Sequence, residues 1–338
     1  MLETIGYDAA TAASFAPWDT ADAAVGRVVR VDKGVASLLT EQGPVRASWG
    51  APVLQRVAHD PTEAPCTGDW CVVRTWPDHR VTIEHVLPRR NAVVRATAGK
   101  AAEGQVVCAN VDLVGVAVAL HPLPADSRIE RLLALAWQSG ARPVLLLTKA
   151  DLVSDAEEVA DDVRHLAPDV EVVIVSSETG RGLDRVRELI DGRATLALVG
   201  TSGHGKSSLT NALVGAEVLS TRGIRDDGRG RHTSVRRELV LLPGGGAVID
   251  TPGLRSLGMF EAEDGLAHTF ADIDALAAQC KFDDCSHRSE PGCQVLAALA
   301  DGRLPQRRWE SYVRLTAETV AMAARRDARR KRGKKDRT

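Results

Sequence analysis

No stretch of this 338-residue chain stays apolar long enough to cross a bilayer, which excludes a spanning helix. The opening residues, MLETIGYDAA, have neither the basic start nor the following apolar segment of a secretory signal. The expectation is a soluble, cytoplasmic protein whose thiols are reduced. Its length suits two or three domains with a sizeable core. An overall excess of one charge is lacking too, with 43 Lys/Arg against 45 Asp/Glu. Basic charge is instead gathered at one end. Residues Arg325 to Thr338 carry nine Lys/Arg and two Asp/Glu, leaving 34 basic and 43 acidic residues, a formal charge of −9, in the rest. Such a tail suits a polyanionic partner, or is simply solvated. Just before it, Trp309, Val313, Thr316, Val320 and Ala324 recur at helical spacing and predict a helix docked on what precedes it.

Cysteine is scarce, and three of the six residues share one short segment. Cys280, Cys285 and Cys293 lie with His287 in CKFDDCSHRSEPGC, a C-x4-C-x-H-x5-C spacing. Four soft or borderline ligands so close together predict a closed tetrahedral Zn²⁺ site with no position for catalytic water, hence a structural site. Cysteines that merely pack in a core are the alternative, but Asp283, Asp284, Ser286, Arg288 and Ser289 make the segment polar. Cys66, Cys71 and Cys108 have no nearby His or second pair and alternate with apolar residues, as small core residues do.

The first hundred residues lack long helical periodicity. GRVVRVD, GVASLLTE, PVRASW, DWCVVRTW and RVTIEHVLP are β-rich runs separated by Gly, Pro and Asp, which predicts a five-stranded barrel of OB type. OB-folds often bind oligonucleotides, yet through Gly99 there are ten Lys/Arg against eleven Asp/Glu. Only a local patch, Arg89, Arg90 and Arg95, suits RNA, and it suits a solvated surface as well.

What is present in the second half is a phosphate-binding loop. Leu196 to Val199 form a buried-strand run, Gly200 to Ser207 (GTSGHGKS) fit G-x-x-x-x-G-K-[ST], and Ser208 to Val214 continue as a helix. Gly203 and Gly205 let backbone N–H groups converge on phosphates at a helix N-terminus, with Thr201, Ser202, His204 and Ser208 in the same cradle. Lys206 reaches the β/γ-phosphates as a catalytic cation, and Ser207 ligates Mg²⁺. Downstream, AVIDTPG ends a strand in D-x-x-G: Asp250 is expected to hold Mg²⁺ through water, and the Gly253 N–H to sense the γ-phosphate. Between them GRGRHTS supplies Thr233, the candidate second hydroxyl ligand of Mg²⁺.

The base-reading elements come before the loop. PVLLLTKAD places Thr148, Lys149 and Asp151 after a buried strand, close to the guanine-reading N-K-x-D, and VVIVSSETGRGL places Ser176 and Ser177 in a second turn that contacts the base. The Asp151 carboxylate can accept from guanine N1–H and the exocyclic amine, and Lys149 can lay its stem over the ring. Motif order is therefore base, base, phosphate, switch, switch, that of a circularly permuted GTPase domain, which close surface termini make tolerable.

With this order, ANVD at Ala109 to Asp112, the nucleotide motifs and the cysteine cluster, the chain resembles the RsgA or YjeQ family of ribosome-small-subunit-dependent GTPases from about Gly26 to Val295. The resemblance implies three domains: an OB-fold at 1–98, a permuted α/β P-loop GTPase domain at 99–262 and a zinc-binding helical domain at 263–338. It implies GTP/GDP with Mg²⁺, one structural Zn²⁺, and a role in late maturation of the small ribosomal subunit through that subunit and its rRNA. A monomer is expected, with no membrane partner. His204 stands where the family's loop more often has Val, and Thr148 occurs in only part of the family.

A Gln after D-x-x-G would orient the attacking water, but Leu254 occupies that position. Slow intrinsic hydrolysis and activation by the small subunit are the expectation. His232, beside Thr233, is the internal catalytic candidate to position water, and is open to two other readings, a ribosome contact or an exposed bystander. A nucleotide-gated RNA-binding module with incidental hydrolysis, and a permuted GTPase of large-subunit assembly, are the competing functions.

Overall fold

Alternation of apolar and polar side chains sets the N-terminal architecture. In the computed structural model, which describes residues 2–96, 104–219, 237–251 and 262–335, five strands form: β1 (Ala23–Asp32), β2 (Val35–Thr40), β3 (Gly43–Trp49), β4 (Trp70–Thr75) and β5 (Val81–Val86). In β2 every second residue, Ala36, Leu38 and Thr40, is buried, the period of a strand with one face to a core. The strands close in the order β1-β2-β3-β5-β4, with β3 parallel to β5, around Val28, Ala36, Leu38, Ala47, Cys71, Val73 and Ile83. This is the expected OB-type barrel. Helix α1 (Ala9–Phe15) precedes it, and α2 (Ala51–His59) connects β3 to β4.

A hairpin of β6 (Ala92–Ala96) and β7 (Gly104–Ala109) leads out of the barrel, its two strands flanking residues 98 and 99. Beyond it lie β8 (Leu113–Ala119), β9 (Arg142–Thr148), β10 (Glu171–Ile174), β11 (Thr195–Val199), β12 (Glu238–Leu241) and β13 (Ala247–Asp250). They form one sheet in the order β10-β9-β8-β11-β13-β12, parallel except for the edge strand β12. Every residue of β8 and β11 is buried, as a parallel sheet covered on both faces requires. Helices α3 (Asp126–Gln138) and α4 (Ala156–Arg164) pack on one face, α5 (Leu183–Ile190) and α6 (Lys206–Val214) on the other. Gly115 in β8 makes room for the second face: a Cβ there would lie 2.8 Å from Leu146 and 3.0 Å from Leu198. The strands that carry the base motifs precede β11 in the chain yet flank it in space, so permutation leaves the site's layout intact.

Buried polar joints fasten barrel to sheet. Arg27 of β1 is fully buried and donates to the carbonyls of Ile5, Asn110 (2.8 Å) and Gly68 (3.4 Å). Asp112 accepts from the Thr195 N–H (2.8 Å) and from Arg90 (2.7 Å), which gives the ANVD segment a structural task. The supposed basic patch dissolves here. Arg89 makes two 2.8 Å bonds to the fully buried Asp69, Arg90 takes Asp112, and Arg95 bonds the Gln105 side chain at 2.9 Å. Cys66, Cys71 and Cys108 are buried as expected of core residues, and burial pushes the Cys108 thiol up to about 12.

Helices α7 (Glu263–Thr269), α8 (Ala271–Ala277), α9 (Gln294–Ala300) and α10 (Gln306–Lys335) gather around Leu266, Phe270, Ile273, Val295, Ala298, Leu304 and Leu315. The long helix forms where the periodicity predicts it, but its docked face is rotated. Val313 and Val320 are 46% and 63% exposed and Ala324 is exposed, whereas Arg308, Ser311, Leu315 and Thr319 are buried. The reason is electrostatic. Arg308 is held by Glu130 of α3 (2.9 Å) and Asp272 of α8 (2.6 Å), so the buried stripe is led by a charge that a count of apolar residues passes over. Arg131 with Glu318 (2.6 Å) and Arg307 with Asp126 (2.8 Å) extend the same seam between α3 and α10.

Candidate nucleotide site and metal cluster

Five parallel strands end at one edge of the sheet, and the motif residues follow directly from their carboxyl ends, where open α/β sheets bind ligands. After β11 the chain turns through Gly200 (φ +150°), where a Cβ would sit 2.6 Å from the Ala117 carbonyl oxygen. Gly203 (φ +85°) and Gly205 (φ +76°) hold left-handed conformations before α6 begins at Lys206. Thr201 and Ser202 lie in this loop, and Ser207 and Ser208 in the first turn of α6. Lys206 is buried, and its Nζ donates to the carbonyls of Gly200 (3.0 Å) and Thr201 (2.9 Å). Burial lowers the pKa of its ammonium, against the opposing pull of Asp250. An anion in the loop would meet this cation and the free N–H groups at the start of α6.

The pair Ser207 and Asp250 fits a Mg²⁺ site. The Ser207 hydroxyl donates to Asp250 Oδ2 at 2.5 Å, while Asp250 Oδ1 is buried without a hydrogen-bond partner among the described residues. Burial raises the Asp250 carboxyl, with Ser207 and Lys206 opposing. An orphaned buried carboxylate oxygen beside a hydroxyl is a hard-oxygen donor set of the kind Mg²⁺ takes, with waters and phosphate oxygens completing it. Thr233, His232 and Gly253, the other switch candidates, lie outside the described residues, as does Leu254.

The two loops expected to read the base are tied to each other and to the glycine-rich loop after β11. Ser176 is buried and donates to Asp151 Oδ1 at 2.5 Å, while its own oxygen accepts from the Thr179 N–H at 3.2 Å. The Asp151 side chain is otherwise exposed, Ser177 is half-buried beside it, and Lys149 sits at φ +58°, turning the chain sharply at the end of β9. Thr148 donates to the His204 carbonyl at 2.9 Å, and the His204 ring sets Nδ1 3.1 Å from the Ala117 carbonyl oxygen. Burial lowers the His204 pKa, with Lys206, Lys149 and Arg128 adding like charge. The two departures from the family pattern thus meet in one contact. Thr148's tie to the phosphate loop was missed in the sequence, because only the fold sets the two loops side by side.

The cysteine cluster assembles separately. The donor atoms of Cys280, Cys285, His287 and Cys293 all lie within 4.8 Å of one another. Cys280 Sγ is 3.9 Å from Cys293 Sγ and 3.6 Å from His287 Nδ1, and His287 Nδ1 is 3.4 Å from Cys293 Sγ. Bonds of about 2.0–2.3 Å to a tetrahedral Zn²⁺ give ligand edges near 3.3–3.8 Å, so the set is compatible with zinc. The backbone N–H groups of Gln294 and Leu296 donate to Cys280 and Cys293 at 3.4 Å each, orienting and stabilising thiolates.

The family model described as RsgA GTPase matches residues 86–260. A Streptomyces avermitilis protein named small ribosomal subunit biogenesis GTPase RsgA is 48% identical over 332 residues, 97% of this chain and 88% of its own. An Opitutus terrae protein of the same name is 39% identical over 349 residues, 99% of this chain and 94% of its own. The crystal structure of YjeQ from Thermotoga maritima matches with a TM-score of 0.63 at 26% identity, over 88% of this chain and 99% of that one. YloQ, described as a circularly permuted GTPase, matches in fold with a TM-score of 0.59 at 24% identity, over 91% and 96%.

Proposed function

The chain belongs to the RsgA GTPase family, and on that premise we propose a GTPase that binds the small ribosomal subunit and its rRNA, acts in its late maturation, and is stimulated by it. The reading draws its partner from the names of relatives such as the Streptomyces avermitilis protein. The observation that carries its chemistry is the common edge at which three strands bring together Lys206 and Ser207 after β11, Asp250 at the end of β13, and Thr148 and Asp151 at and after the end of β9.

In this proposal Asp151, held by Ser176, reads guanine, and Lys149 covers the ring. Gly200 to Ser208 cradle the phosphates, and Lys206 exchanges its carbonyl partners for the β/γ-phosphate oxygens. Ser207 and Thr233 would hold Mg²⁺ directly and Asp250 through water, and the ion would supply charge neutralisation at the phosphates. Gly253 reports the γ-phosphate, and His232 positions water in place of the side chain that Leu254 lacks. Cys280, Cys285, His287 and Cys293 hold one structural Zn²⁺. The proposed domains are 1–98, 99–262 and 263–338, in a cytoplasmic monomer; among the described residues no helix is long and apolar enough to cross a membrane.

Single-turnover GTP hydrolysis with purified small subunits, large subunits and neither tests the reading. Slow hydrolysis alone and roughly a thousandfold stimulation by the small subunit are expected, the scale of supplying a missing transition-state group in trans. Equal rates in all three would overturn stimulation, and stimulation by large subunits alone would reassign the partner.

A further inference from the structure

The chain between Cys280 and Cys293 forms neither helix nor strand, so its shape must come from side chains that bond the backbone. Glu290 is the principal one. Half-buried, it accepts with Oε1 from the Ser286 N–H (2.9 Å) and the Ser286 hydroxyl, and with Oε2 from the N–H groups of Arg288 (2.9 Å) and Ser289 (3.0 Å). Its own carbonyl accepts from the Cys293 N–H at 3.3 Å. The carboxylate therefore grips the chain immediately before and immediately after His287, and the backbone of the same residue reaches the last cysteine.

That grip has a geometric consequence. His287 sits at φ +57°, a left-handed conformation that a residue with a β-carbon rarely adopts without outside support. With the turn held in this way, His287 Nδ1 lies 3.6 Å from Cys280 Sγ and 3.4 Å from Cys293 Sγ. Trp309 of α10 meets the same imidazole edge-on, with ring centroids 5.9 Å apart and planes at 89°. An ionised carboxylate offers about four lone-pair sites, and here Ser286, Arg288 and Ser289 fill them with two donors on each oxygen. Glu290 is thus occupied by the loop and is not a fifth ligand. The N–H groups of Gln294 and Leu296 act on the thiolates, whereas Glu290 acts on the histidine arm.

We propose that Glu290 is a positioning residue of the metal cluster: by bridging Ser286, Arg288 and Ser289 it fixes the left-handed turn at His287 and presents Nδ1 to a Zn²⁺ held with Cys280, Cys285 and Cys293. The inference rests on the zinc reading of this cluster under the proposed function. It gives the polar segment between the second and third cysteines a task of its own, which is to hold the histidine in ligating geometry. Outer partners that orient a metal ligand govern affinity about 10-fold to 100-fold.

Zinc retention by the full-length protein tests it. Zinc-loaded parent, Glu290→Ala and Glu290→Gln are titrated with a chromophoric chelator, and the zinc affinity of each is read from the equilibrium. Glu290→Ala is expected to weaken zinc about 10-fold to 100-fold. Glu290→Gln should weaken it by roughly threefold to tenfold, because the amide oxygen still accepts from one pair of donors while its NH2 faces the other. GTP affinity is expected to stay unchanged in both. With Co²⁺ in place of zinc, both variants should keep the parent's thiolate charge-transfer and d–d bands, since the ligand set is the same. Zinc affinity equal to the parent's in both variants would overturn the positioning role. So would an altered Co²⁺ spectrum in loaded Glu290→Gln, because the carboxylate would then be a ligand. Faster amide exchange in α9 and α10 of the variants with zinc affinity intact would also overturn it, since Glu290 would then serve the helices and not the metal. A parent that holds no zinc would refute the zinc reading and this inference with it, an outcome distinct from a parent and variants that bind zinc equally well.

Discussion

In the proposed function base selection rests on Asp151, an exposed carboxylate with one oxygen already committed to Ser176. If it pairs with guanine N1–H and the 2-amine, Asp151→Asn should weaken GTP at least tenfold and improve xanthosine triphosphate, whose 2-oxo group prefers a donor. Competition binding with GTP, ATP and XTP measures this, and equal affinity of the parent for GTP and ATP would refute the assignment. Asp250 makes a second, pH-dependent prediction. Burial raises its carboxyl above the unfolded value, so the folded free protein holds that proton more readily than the unfolded chain does. The stability this group contributes is present below its unfolded pKa and is lost as pH rises through the folded one. Asp250→Asn removes the charge while its amide oxygen still accepts from Ser207. Without nucleotide or Mg²⁺ the variant should therefore melt a few degrees higher than the parent at pH 7. The difference should close as the solution is acidified, and Mg²⁺-dependent hydrolysis should be lost. Thermal melts from pH 4 to 8 decide it, with equal melting points at pH 7 as the contrary result.

At the scale of elements, α10 is held less by its apolar stripe than by Arg308. Glu130 and Arg308 have side chains only 1% and 5% exposed, and burial raises the Glu130 carboxyl against the pull of Ser311 and Arg308. Removing one partner of such a pair strands the other charge, at a cost of about 3–5 kcal/mol. Arg308→Ala should therefore loosen α10 and α8 from α3, seen as fast amide exchange across Gln306–Lys335 with GTP affinity retained. Exchange unchanged in α10 would show that Leu315 and its apolar neighbours suffice. The Cys/His loop makes the complementary case, because the twelve residues between Cys280 and Cys293 form neither helix nor strand and have little apolar core of their own. Structural zinc contributes on the order of 10 kcal/mol of apparent binding free energy in small modules. Cys285→Ala should unfold the helices around the cluster and leave nucleotide binding largely intact, and protein purified without chelator should contain one zinc per chain by elemental analysis.

Across the whole molecule, polar seams join the barrel, sheet and helices alongside apolar contacts, with Val29 of β1 packed on the sheet's core and Ala134 of α3 in the helices' core. Arg27 and Asp112 fasten barrel to sheet, and the α3 to α10 ion pairs fasten sheet to helices. In the sequence α7 begins ten residues after Gly253, and it packs on α3: a Cβ on Gly265 would lie 2.1 Å from the Ala134 carbonyl oxygen. In the proposed cycle, loss of the γ-phosphate thus has a short covalent path to the C-terminal helices. Stimulated hydrolysis should then depend on that seam. Arg308→Ala is expected to lower small-subunit stimulation more than intrinsic hydrolysis, read from the same single-turnover assay, and an equal effect on both would place the helices outside the activation path.

Much of this protein follows from its sequence by itself. Glycine spacing suits a phosphate loop's left-handed turns, an apolar run before each motif marks a buried strand, and three cysteines and a histidine in one short segment are close whatever the fold. Those are local constraints, carried by backbone conformation and nearest neighbours along the chain. The five barrel strands were legible for the same reason, since period-two burial is a local pattern. Tertiary structure decided what depends on partners distant in sequence. It turned Arg89 and Arg90 from a surface patch into joints, because Asp69 and Asp112 meet them only once barrel and sheet are folded. It rotated α10 away from Val313 and Val320, because Glu130, 178 residues earlier, requires Arg308 inside. It also brought Thr148 to His204 across 56 residues, a contact that strand order creates and sequence spacing cannot encode.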